Sequence, residues 1–97
     1  MRTMRVSFGQ TLDGGWSTTP IGQISAAGRW RGSDGFIMEI EREAALDALK
    51  REAAEYGADG IVGVRFEADE VKNCEIDGLA LRRVTATGVA VRIARAA

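Results

Sequence analysis

One thiol, Cys74, and no histidine are all that this chain of 97 residues offers to soft-metal or nucleophilic chemistry. Zinc and copper sites draw three or four thiolates and imidazoles onto one ion, so the donor count disfavours such a site within a single copy. Cys74 becomes a metal ligand only if several copies converge around an axis. Its neighbours are Glu67, Asp69, Glu70, Glu75 and Asp77, with Lys72 as the one opposing charge. That setting disfavours the thiolate and a reactive-thiol role, and a lone cysteine reads first as a small hydrophobe. The acidic stretch lacks the alternating Asp/Asn spacing of a calcium loop and reads as a solvated hairpin connection.

Other catalytic arrangements fail for similar reasons. Ser7, Ser17, Thr18 and Thr19 have no histidine to activate them, and the two lysines, Lys50 and Lys72, sit in polar surroundings unsuited to a desolvated base. Paired carboxylates for glycoside chemistry need a cleft that a domain this thin hardly provides. Asp13-Gly14-Gly15 and Gly32-Ser33-Asp34-Gly35 match neither a P-loop nor a dinucleotide fingerprint and read as turns. Trp16 and Trp30 are suited to stack on a flat ring; the ordinary alternative is packing at the rim of the core or at a subunit contact. No enzymatic activity is expected.

The length fits one domain, residues 1–97. A net charge of -1 gives no general attraction for phosphate backbones, so nucleic acid is not an expected partner. The longest apolar runs fall far below the roughly 20 residues that span a bilayer, and the N-terminus has no apolar stretch resembling a secretory signal. One cysteine cannot form an internal disulfide, which agrees with a reducing compartment; a cytoplasmic location is the expectation.

Met4, Val6 and Phe8 alternate with Arg5, Ser7 and Gly9 as in a short strand with one buried face. Ile21 to Trp30 reads as extended, and Ser33 or Asp34 is placed to cap a following helix. From about Phe36 to Tyr56 the spacing predicts a helix, with Met38, Ala45, Leu46, Leu49, Ala53 and Tyr56 on its core side. Gly57 is placed to end it. Two strands follow. In the first, Val62, Val64 and Phe66 point to the core and Gly63, Arg65 and Glu67 away; in the second, Val84 to Ala94, Val89, Val91 and Ile93 oppose Ala86, Gly88, Ala90 and Arg92.

The expected fold class is therefore α+β, one long helix on one side of a small three-stranded antiparallel sheet, with additional short N-terminal strands. The other side of that sheet, carrying Gly63, Arg65, Glu67, Gly88 and Arg92, is expected to meet another subunit. Glycine and alanine weaken an exposed strand unless something approaches closely, and the charged members are able to pair across an interface.

The run REAALDALKREAAEYGADGIVGVRFE, followed by RRVTATGVAVRI, resembles the YbjQ-like family, which carries a heavy-metal-binding label. The resemblance implies a dodecin-like β-α-β-β subunit, the last strand central and antiparallel to both neighbours, assembled as a homopentameric ring without enzymatic activity. A ring of that kind would repeat Cys74 around its axis as a metal or metalloid site. Because a dodecin-type architecture stacks flavins on aromatic rings, the likeness also makes Trp16 and Trp30 candidates for a planar, flavin-like cofactor.

Overall fold

The computed structural model describes residues 4–12, 17–71 and 80–94. Its helix, α1 (Met38–Glu55), buries Glu41, Ala45, Leu49 and Ala53. These recur every fourth residue, so a single narrow stripe faces the sheet. The helix ends as the glycine predicts: Gly57 takes φ 70°, its N–H donates to the Ala54 carbonyl at 3.0 Å, and the Ala58 N–H donates to the Ala53 carbonyl at 3.1 Å. That pair of bonds satisfies carbonyls the helix would otherwise leave open.

Among the described residues, five strands form one mixed sheet in the order β1-β4-β5-β2, with β3 also beside β5. They are β1 (Arg5–Val6), β2 (Thr18–Ala27), β3 (Arg31–Gly32), β4 (Gly60–Val71) and β5 (Leu81–Ile93). β5 is central and antiparallel to β2, β3 and β4, while β1 runs parallel to β4. The three-stranded expectation is thus too small. Residues 5–7 extend the sheet because the Ser7 N–H reaches the Ile61 carbonyl at 2.9 Å, and Arg31 and Gly32 register against Arg82 and Leu81.

The expected sides of β5 are inverted, and β4 departs from expectation at Val62 alone. Val84, Ala86 and Ala90 lie in the core under α1 with Ile24, Ala45, Leu49, Ala53, Ile61 and Val64. Val91 instead joins Leu12 and Val62 in a second cluster, with Val89 and Ile93 packed against it, on the face away from the helix. A bulge causes the change within β4. Val62 pairs with Val89 and Arg65 with Thr87, so Gly63 and Val64 together oppose Gly88, and Gly63 takes the left-handed φ of 64° that such a bulge demands. Val64 and Phe66 keep the core side expected of them; Val62 does not.

Gly88 is needed for a different reason. A Cβ there would stand 2.6 Å from Ile61 Cγ2 and 3.2 Å from the Val62 carbonyl oxygen. The small row Ala86, Gly88, Ala90 thus lies on the helix side of the sheet, with Ile61 filling the space above Gly88, and is not a rear face. Other expectations also shift. Met38 and Tyr56 are exposed, because the buried stripe is narrower than the apolar pattern suggested, and Phe8 is 65 % exposed beyond the two-residue β1. Ser33–Gly35 forms a short 3-10 turn, and the N-cap of α1 is Ile37, which makes no side-chain cap bond.

Gly88→Val is expected to cost about 2 to 3 kcal/mol through overpacking against Ile61. Urea unfolding of the variant checks this; unchanged stability would mean that Ile61 and Val62 do not close on Gly88.

Candidate functional site

Charge and aromatic surface gather where β3 meets the start of β5. Glu41 is the one buried charged residue described, 3 % exposed, because it occupies the stripe position one turn before Ala45. Its carboxylate forms an ion pair with Arg31 Nε, whose side chain is about half exposed. This pair ties the short β3 to the helix and keeps a buried carboxylate compensated. Arg82, in register beside Arg31, lays its guanidinium over the Phe36 ring at 4.5 Å, and its buried Nε has no hydrogen-bond partner.

The opposite face of the same end carries a second group. Arg83 lies over the Trp30 ring at 4.5 Å, and its Nε approaches Asp69 Oδ2 at 3.4 Å. Thr85 Oγ1 donates to the same oxygen at 3.4 Å. Trp30 stays 39 % exposed. Its indole is thus held in place by a cation and remains accessible, a setting that suits flat or anionic ligands. Nothing in this group is a nucleophile with an activating base; the carboxylates are committed to arginines.

The other expected site residues are scattered. Cys74 and Trp16 lie outside the described residues. Arg65 and Glu67 are exposed and, from their pairing with Thr87 and Thr85, share the face away from α1. Gly63 is half-buried at the bulge beside them. Gly88 does not join that face, being buried against Ile61. Arg92 does not either: its Nη2 would lie 3.5 Å from a Cβ on Gly57, so the guanidinium sits by the C-terminal end of the helix, where a cation is favoured. Among the described residues, no group of three His, Cys, Asp or Glu is placed to hold a metal ion, and no helix is long and apolar enough to cross a membrane.

Sequence reading missed Glu41, Arg31, Arg82, Arg83 and Asp69 as a set. One signal was present: Glu41 precedes Ala45, Leu49 and Ala53 at the same four-residue interval and so belonged to the buried stripe. The arginines gave no such signal, since β3 is two residues long and its register with β5 is long-range.

An α+β domain with one helix and β5 at the centre of its sheet has solved counterparts. The crystal structure of a protein of unknown function from the DUF74 family of Pediococcus pentosaceus ATCC 25745 shares the fold at a TM-score of 0.70 and 18 % identity, covering 94 % of this chain and 98 % of that one. A YbjQ family model described as "Putative heavy-metal-binding" matches residues 24–94, and the chain belongs to that family. No curated protein matches it.

Arg31→Met leaves Glu41 uncompensated. A loss of about 2 kcal/mol is expected, between the weak effect of a surface pair and the 3 to 5 of a fully buried one, because Arg31 is half in water. Thermal and urea unfolding measure it; a neutral result would show that the pair holds nothing together.

Proposed function

We propose that this domain is a non-enzymatic subunit of a cytoplasmic homo-oligomeric ring, with a binding or scaffolding role, and that its copies meet over the sheet face away from the helix. The supporting observation is shape. The radius of gyration is 15.8 Å, with extents of 60 × 22 × 21 Å. A self-contained domain of this length has a radius of gyration of about 12.5 Å. A chain this elongated gathers less of its surface into a core than a globule does, and association is the general remedy. Arg65 and Glu67 supply opposite charges for a contact on that face, and Gly63 allows close approach. Gly88 and Arg92 act within the protomer instead. The count of five subunits comes from the family likeness.

Two other readings attach to particular residues. The family description favours a metal or metalloid module, in which Cys74, repeated around the ring, gathers the several thiolates that one copy lacks. The Arg83-backed indole favours a planar, flavin-like cofactor at Trp30, with Trp16 as a second ring.

Native mass spectrometry with and without a thiophilic metal separates the first two readings. Subunits at a fixed multiple, five by family likeness, with equal metal retention in wild type and Cys74→Ser, leave the ring without the metal site; metal lost only in Cys74→Ser establishes it. A monomer across the working concentration range contradicts the ring. Adding flavin to the purified protein tests the third, with quenching that Trp30→Leu abolishes as the supporting result and unchanged emission as the opposing one.

A further inference from the structure

Arg31 and Arg82 are directly opposed across β3 and β5, and both side chains run to the helix side of the sheet, Arg31 to the Glu41 carboxylate and Arg82 to the Phe36 ring. Like charges set opposite each other on one face of an antiparallel pair repel. An anion between them removes that penalty. Glu41 does so for one member only. It engages Arg31 through Nε, which leaves the terminal Nη groups of a side chain that is about half exposed.

Arg82 has no such partner. Among the described residues, the ion pairs at this end of the sheet are Arg31–Glu41 and Arg83–Asp69, and Glu70, in register with Arg82 on β4, stays exposed without joining it. The Arg82 guanidinium is held over the Phe36 ring at 4.5 Å, and Phe36 is itself packed against the core cluster, so the charge rests on a fixed platform. A ring contact consumes none of arginine's N–H donors. The Nε donor is shut away from solvent with no acceptor, which makes the unmet demand costly. Two guanidiniums with open donors thus stand side by side, with one carboxylate bonded between them and the helix.

We propose that Arg31 and Arg82 form a binding site for a phosphate group, free or carried by a small molecule. The donor geometry selects phosphate over carboxylate. A single guanidinium fork already matches both oxygens of a carboxylate, whereas the oxygens of a phosphate can accept from two forks at once. The site lies on the helix side of the sheet, apart from the Trp30–Arg83 group and from the Arg65–Glu67 face, and it does not depend on the ring.

Isothermal titration calorimetry of the full chain with inorganic phosphate tests it, with glycerol 3-phosphate as the esterified probe and acetate at matched ionic strength as the carboxylate. Saturable binding of a phosphate probe is expected, weakened at least about tenfold in Arg82→Met by the loss of a charge-assisted contact. Arg51→Met, which removes the same charge from an exposed position on α1, is expected to retain it. Tighter binding of the ester supports a phosphorylated small molecule as the ligand, and tighter binding of inorganic phosphate supports the ion. Absence of saturable binding by both, acetate binding as tightly as phosphate, or an affinity unchanged in Arg82→Met overturns the site. Should Arg82→Met unfold, nuclear magnetic resonance of the wild type decides: phosphate moving the Arg82 Nε–H signal supports the site, and movement of the Trp30 indole N–H alone overturns it.

Discussion

The helix packs on the central strand through small side chains, and the other features of the fold follow from that packing. Ala86, Gly88 and Ala90 make one side of β5 nearly flat, and Ala45, Leu49 and Ala53 make a matching narrow stripe on α1. Ile61 fills the space that a side chain at Gly88 would need. For Ile61 and Val64 both to reach this side, β4 must gain a residue between them, and Gly63 supplies it at φ 64°. The small residues, the bulge and the narrow stripe are thus one device.

That device has a cost in burial. A core built on alanines removes little apolar surface per residue, and among the described residues the fully buried large side chains are only Leu49, Ile61, Val84 and Val91. Leu12 extends the burial by covering Val62 and Val91 on the other face. Past that point the face turns polar, through Thr87, Arg65, Thr85 and Glu67 to the Asp69–Arg83 pair. The sheet thus has a dry end beneath Leu12 and a wet end beside Trp30. A protomer of this kind keeps margins and faces that a larger core would have covered.

How much of this was legible depended on range. The helix and its glycine stop could be read because their causes are local: a periodic stripe, and Gly57 in a left-handed turn. The central place of β5 followed from the family likeness. The sidedness of β5 does not follow from its sequence, because alternation shows that two faces differ but not which one the helix covers; the branched residues Val89, Val91 and Ile93 read as core, yet the small Ala86, Gly88 and Ala90 face it. A single inserted residue at Gly63 then inverted Val62 relative to Val64, which no period-two pattern reveals. The arginine and aromatic cluster was invisible for another reason, since Arg31 meets Arg82 only through long-range register.

On the ring proposal above, copies of this chain cover the sheet face that carries Arg65 and Glu67. Light scattering on the wild-type protein measures the molar mass in solution directly. A fixed multiple of the 10.4 kDa chain is the predicted result; a monomer across the working concentration range would contradict it.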